Sequence, residues 1–401
     1  MIRPFRDGKV HSPILSRGGL FVILMRVSIT KGRREMKRVT ASFFTLPAVA
    51  MLLLSGCGNA VKEYEAVNTA MGTVVTQKLY TEGDDVTGDV EQLLSGMEET
   101  MLSRRIAGSE VAKLNANAGT GIYTEVSGEL AETLLELSGI YEDSDGALDV
   151  SIGALVSLWD IDAHAQESYE DAGEQPDGTG GKTEDAGQTE STGKTEGYRL
   201  PGEAEIKEAL SYSGFSKIER KDNSFLLPKG MALDLGAVGK GLACDDILAY
   251  MEGKAEVKAA VISVGGSILT YGEKPDGTAF RVAITDPFDT GAYCGYLTLT
   301  GNWFVSTSGD YERFVEVDGK RYHHILNPAT GYPAESGVKS VTILSKNGMI
   351  SDALSTACFV LGEEKGRLLA EKYGVEALFI SEDGIISMTK GMREYFTEQT
   401  K

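Results

Sequence analysis

One stretch of this chain cannot contribute to any core, and its position dictates how the rest must fold. Residues Ala163 to Tyr198 hold nine acidic residues, two Lys and seven Gly, with no Leu, Ile, Val, Phe or Trp. So little apolar surface cannot offset the entropy of ordering the backbone, so a disordered, solvated insertion is expected there. Two blocks remain, roughly Glu63 to Asp162 and Tyr198 to Phe396, which are long enough to share a large core.

The first block opens with TAMGTVVTQKLY, which alternates like a strand. Apolar residues then recur at helical spacing in Val86 to Leu102 and Leu130 to Tyr141, and GALDVSIGALVSLWDI follows with Gly at its turns. The second block reads as a helix near Pro201 to Ser211, then strand, Gly-rich turn and helix through FLLPKGMALDLGAVGKGLACDDILAYME. AAVISVGGSILTYG and FRVAITDP read as strands and CGYLTLTGNWFVSTSG as a hairpin. Val338 to Leu344 predicts a strand, Asp352 to Gly362 a helix, and Val375 to Thr389 closing strands. Strands outnumber helices and many neighbours read as antiparallel. The expected class is α+β, with mixed, largely antiparallel sheets packed with helices rather than a doubly wound sheet.

Met36 to Cys57, MKRVTASFFTLPAVAMLLLSGC, has a positive start, an apolar middle and a Leu-Ser-Gly-Cys ending. Its apolar stretch is short for a span of ~20 residues and contains Pro47. The ending resembles a bacterial lipobox. That implies a lipoprotein signal over 36–56, lipidation of Cys57, a linker over 57–68 and a place on the extracytoplasmic face of the cell membrane. Residues 1–35 then read as an over-extended start with Met36 as initiator.

The formal charge of the chain is −20. Residues before Val39 carry ten Lys/Arg against Asp7 and Glu35, and none from Val39 to Gly56 is charged, so a chain beginning at Cys57 carries −28. Such a surface repels nucleic acid, and a phosphate ligand needs a local cation. Cys244, Cys294 and Cys358 show no CxxC pairing and are odd in number, which suits small buried hydrophobes rather than disulfides. Four His in all argue against a histidine-rich zinc centre.

Several strings carry chemistry. In SDALSTA, Asp352 and Thr356 are four residues apart, so on a helix a carboxylate and a hydroxyl share one face and can address one small, hard cation such as magnesium. An N-cap with a mid-helix Thr explains the same pair. The turn from Asp234 to Gly241, DLGAVGKG, could aim backbone N–H groups at an anion with Lys240 as a point charge, or could simply join strand to helix. It matches neither established phosphate-loop pattern. SVGGSI marks a bulge or a close backbone approach, to a strand or to a ligand. In TSGDY, Asp310 reads as a turn residue, and Ser308 lacks the G-x-S-x-G context of a hydrolase nucleophile. In YHHILNPATGYP, strand neighbours face opposite ways, so only one of His323 and His324 can face a site as a base.

In order, TAMGT, SEVAKLN, GALDVSIG, LDLGAVGKG, ISVGGSI, TSGDYERF, YHHILNPATGYP and SDALSTA resemble the ApbE family of FAD:protein FMN transferases, many of them lipoproteins. The resemblance runs from about Thr69 to Gly362 and implies a catalytic domain over 69–396, interrupted at 163–198, with a ligand cleft between the two blocks. It places Met71, Ala147, Leu148, Asp149, Asp234 and Lys240 near FAD. It assigns magnesium to Asp352, Thr356 and the carbonyl of Ala237, and makes His324 the group that deprotonates the acceptor hydroxyl, with Asp352 beside it in catalysis.

The implied activity is magnesium-dependent transfer of FMN from FAD to a Ser or Thr hydroxyl, with release of AMP. Implied acceptors are extracytoplasmic flavoprotein subunits of membrane redox complexes, of the Rnf or sodium-pumping quinone reductase type. Two other functions use the same residues: a magnesium-dependent FAD pyrophosphatase and a non-catalytic FAD-binding lipoprotein. The chain departs from the family at Asn327, where many relatives have Asp, and near Arg105, where some place an aromatic against the flavin.

Overall fold

The computed structural model describes residues 60–165 and 197–399. Cys57, the 36–56 signal and most of the acidic segment lie outside the described residues. Among those described, no helix is long and apolar enough to cross a membrane.

An eight-stranded sheet runs in the order Lys62–Ala70, Thr73–Thr81, Val257–Val264, Ser267–Gly272, Trp303–Gly309, Val338–Ser345, Glu376–Ser381 and Ile386–Met388. Every neighbouring pair is antiparallel. The α+β expectation therefore holds, and the reason is the period-2 burial of the central strands. Phe304, Ile343 and Ala377 face a core under the helices, while their neighbours Val305, Leu344 and Leu378 face a second core. Helices Thr87–Met97, Gly128–Asp143, Gly239–Glu252 and Gly348–Leu361 build the first. A three-stranded sheet containing Phe280–Asp286 and Asp289–Leu299 builds the second.

The expected hairpin CGYLTLTGNWFVSTSG is a correction. Its two halves are strands, but Asp289–Leu299 pairs with Phe280–Asp286 and Phe396–Glu398, whereas Trp303–Gly309 belongs to the large sheet. The turn between them bonds elsewhere: Gly301 N–H donates to the Gly272 carbonyl at 3.1 Å, and Gly272 N–H donates to Asn302 Oδ1 at 2.9 Å. A chain segment that switches sheets looks like a hairpin in sequence because both halves alternate equally well.

The helix expected from Asp352 starts four residues earlier, at Gly348. Asn347 caps it by accepting from Ile350 N–H at 2.7 Å, and the distant Asp245 takes the N–H groups of Gly348 and Met349 at 2.7 and 2.8 Å. Asp352 is consequently inside the helix and is not its cap.

A third, smaller core joins helices Gly153–Trp159 and Glu203–Ser211 to the hairpin Phe314–Val317 and Lys320–His323. The acidic segment leaves and returns here. Residues 161–165 form a helical turn with Ala165 buried, and the rings of His164 and Tyr198 pack edge-on with centroids 4.7 Å apart. Residues 163–165 and 197–198 of that stretch thus belong to the folded body, and 166–196 lie outside the described residues.

Candidate active site

A cavity of about 530 Å³ lies off one end of the central strands, lined by both sequence blocks. It receives Ala147, Leu148 and Asp149 from the first, and Asp234, Ala237, Lys240, His324, Asp352 and Thr356 from the second.

Asp352 is held from two sides. Gly241 N–H donates to its Oδ2 at 2.9 Å and Ser267 Oγ to its Oδ1 at 2.8 Å, with the side chain buried. Gly241 lies in the first turn of the Gly239–Glu252 helix, so the carboxylate also meets that helix at its positive end. The approach requires glycine: a Cβ at position 241 would sit 2.1 Å from the Gly348 carbonyl oxygen and 2.7 Å from Asp352 Cβ. One turn on, Thr356 Oγ1 is 3.3 Å from Ser308 Oγ, which is 2.8 Å from Ser355 Oγ. Asp352, Thr356 and Ala237, which carry a carboxylate, a hydroxyl and a backbone carbonyl, all line the one cavity. Among the described residues no cluster of three or more His, Cys, Asp or Glu could hold a metal, so a thiolate or polycarboxylate centre is absent there. A single carboxylate with hydroxyl and carbonyl partners fits magnesium, which keeps several waters and phosphate oxygens as ligands.

The two adjacent histidines diverge as strand neighbours must. His323 is in the core, with Nε2 donating to the Ala334 carbonyl at 3.0 Å, Nδ1 accepting from Ile325 N–H, and its ring edge-on to Phe359. His324 faces the cavity. Its backbone N–H and Nδ1 both donate to the Arg313 carbonyl, at 3.0 and 3.2 Å. That fixes the tautomer and leaves the Nε2 lone pair to act as a base. Burial lowers the His324 pKa; Asp162 opposes the shift and Arg313 adds to it, so the ring is neutral at ordinary pH.

Asp234 pairs with Arg104 at 2.5 Å and accepts from Gly236 N–H at 2.8 Å, which shapes the glycine turn. Asp149 accepts from Ser151 N–H and Oγ at 2.8 and 2.6 Å. Burial nonetheless raises its pKa. Met71 is not among the lining residues. It occupies, with Gly72, the two-residue turn between the first strands, both at positive φ (54° and 67°), and its N–H donates to Glu98 at 2.9 Å. The glycines of SVGGSI form another two-residue turn, and both face the cavity. Asp310 pairs with Lys339 at 2.6 Å, as suits a turn residue. Asn327 Oδ1 accepts from Ala329 N–H at 2.9 Å, a turn role that needs no charge. Arg105 is exposed and lies 3.9 Å from Asp160, outside the cavity lining.

Sequence reasoning missed four residues. Ser267 and Asp162 carried no signal of their own, although Ser267 stands in the SVGGSI string. Glu312 and Arg313 stood in TSGDYERF without a role. Glu312 lines the cavity, and its carboxyl is raised to about 7 by burial and by Asp352, with Lys240 and Arg313 pulling the other way.

The family model described as the ApbE family matches residues 71–379. The chain is 33% identical over 371 residues to the FAD:protein FMN transferase of Treponema pallidum, covering 86% of this chain and 93% of that protein. It is 31% identical over 344 residues to the FAD:protein FMN transferase of Klebsiella pneumoniae, covering 84% and 95%. Among solved structures, the ApbE protein of Thermotoga maritima is similar with a TM-score of 0.69 at 27% identity, over 84% of this chain and 100% of that one. The apo flavinyl transferase ApbE of Pseudomonas stutzeri is similar with a TM-score of 0.66 at 27% identity, over 85% and 98%.

Proposed function

The chain belongs to the ApbE family, and on that premise we propose that it transfers FMN from FAD to a Ser or Thr hydroxyl of an acceptor protein and releases AMP. The observation that carries this reading is the meeting, in one cavity, of a neutral histidine whose Nδ1 is tied to the Arg313 carbonyl and a set of hard oxygens suited to magnesium.

His324 Nε2 takes the proton of the acceptor hydroxyl, and its fixed ring spares the cost of orienting the base at each turnover. The hydroxyl oxygen bonds to the phosphorus on the flavin side of the pyrophosphate, and the bond from that phosphorus to the bridging oxygen breaks. AMP leaves with the bridging oxygen. Lys240 and the N-terminus of the Gly239–Glu252 helix present positive charge to the pyrophosphate. Asp352, Thr356 and the Ala237 carbonyl would hold magnesium, which when bound screens the phosphates and polarises the phosphoryl group. Ser267 and Gly241 keep the Asp352 carboxylate in place for that task.

The acceptors best matched to this chemistry are flavoprotein subunits of membrane redox complexes. A lipid on Cys57 would keep the cavity on the same side of the membrane as such subunits, and Cys57→Ser should then shift the protein to the soluble fraction.

The test is to incubate the purified protein with FAD, an acceptor subunit, and magnesium or EDTA, reading acceptor mass and AMP together. Transfer predicts one FMN per acceptor, matched by AMP, only with magnesium. Free FMN and AMP without a labelled acceptor would favour pyrophosphate hydrolysis, and intact bound FAD would favour a carrier.

A further inference from the structure

Arg313 is the hub of a small polar assembly beside the cavity. Its carbonyl holds both the backbone N–H and Nδ1 of His324, at 3.0 and 3.2 Å. Its guanidinium Nη2 donates to the Gly72 carbonyl at 3.1 Å, and Nη1 lies 3.3 Å from Asp162 Oδ1. Three separate parts of the chain meet at Arg313: the strained turn at Met71 and Gly72 and the helical turn 161–165 at its guanidinium, and the segment carrying His324 at its carbonyl. Arg313, Asp162 and His324 all line the cavity.

We propose that Asp162 and Arg313 form a positioning pair for His324, in which Arg313 fixes the imidazole through its carbonyl and Asp162 neutralises the guanidinium that would otherwise oppose protonation of Nε2. The inference rests on the transferase reading for its purpose but not for its geometry. Without the Asp162 carboxylate, an unbalanced guanidinium charge faces a ring that must accept a proton. With it, the ring keeps enough basicity to take the hydroxyl proton.

The charges around each member agree with this arrangement. His324 is faced by Asp162, Arg313 and His323: the Asp162 charge and the Arg313 carbonyl favour the protonated ring, and the charges of Arg313 and His323 oppose it. Burial works against ionisation of Asp162, yet Arg313, His324 and Arg105 outweigh it and lower its pKa. Asp162 is therefore a carboxylate at neutral pH, and its negative charge makes His324 more basic.

The experiment follows the Cε1 and Hε1 resonances of His324 by NMR as pH is lowered from 8, in the full-length protein without FAD. Asp162→Asn is expected to move the His324 midpoint down by about one unit, and Arg313→Gln to move it up by a similar amount. Asp162→Glu, which keeps the charge, should return it towards the wild-type value. In turnover, Asp162→Asn should lower kcat by about tenfold, with a much smaller change in KM for FAD. Unchanged titration in Asp162→Asn, or shifts of the same sign in the Asn and Gln variants, would overturn the pair. Because the titration is read without substrate, its outcome is independent of whether the protein transfers FMN or hydrolyses FAD.

Discussion

Ser267 Oγ donates a 2.8 Å hydrogen bond to Asp352 Oδ1 across 85 residues of sequence. It ties the glycine turn of the Val257–Val264 and Ser267–Gly272 strands to the helix that carries the proposed metal carboxylate. Ser267→Ala should leave the fold intact and raise the magnesium concentration for half-maximal turnover by at least about tenfold, as loss of a supporting contact to a ligand commonly does. Asp352→Ala should abolish magnesium-dependent turnover altogether. An unchanged magnesium requirement in Ser267→Ala would separate this hydroxyl from metal binding.

Gly241→Ala should cost at least about 2 kcal/mol of stability, because the added methyl meets backbone at Gly348 and cannot be relieved by a rotamer change. Urea unfolding measures it directly. Wild-type stability in that variant would mean that the two helices part easily at this crossing.

Glu312 gives the protein a pH signature. Its carboxyl is raised to about 7 in the folded chain from an ordinary value of 4.5, mainly by burial. The native state therefore holds this proton where the unfolded state has released it, so the contribution is full below about 4.5 and fades as pH rises through about 7. Between pH 5 and 8 the metal-free protein should lose on the order of 1–3 kcal/mol from this group. Glu312→Gln should remove that part of the slope, and parallel urea midpoints for both proteins across this range would contradict the assignment.

What could be read from the sequence follows from the range of the interactions. Strands with period-2 burial and the helices Thr87–Met97 and Gly128–Asp143 declare themselves locally, because alternation and helical spacing are properties of neighbouring residues. The early start of the Gly348–Leu361 helix was hidden because Asp245, a residue 103 positions away, supplies part of its cap. Pairing of the Asp289–Leu299 strand was hidden for the same reason. Around the cavity, Asp352, Thr356, Lys240 and His324 stood in recognisable strings. Asp162 did not, since its meaning comes only from Arg313, and it sat at the edge of a segment whose composition drew the eye to disorder.

The central claim is that His324 Nε2 is the base for transfer to an acceptor hydroxyl, and one comparison tests it most directly. Acceptor mass and AMP are followed with time for wild type, His324→Ala and His323→Gln, with FAD affinity measured for each. The account predicts that His324→Ala slows labelling by about 10²-fold or more while FAD affinity is largely kept. His323→Gln, which alters a core contact with the Ala334 carbonyl, should affect stability first and still label the acceptor. Labelling at the wild-type rate by His324→Ala, or equal losses of rate and FAD affinity, would contradict it.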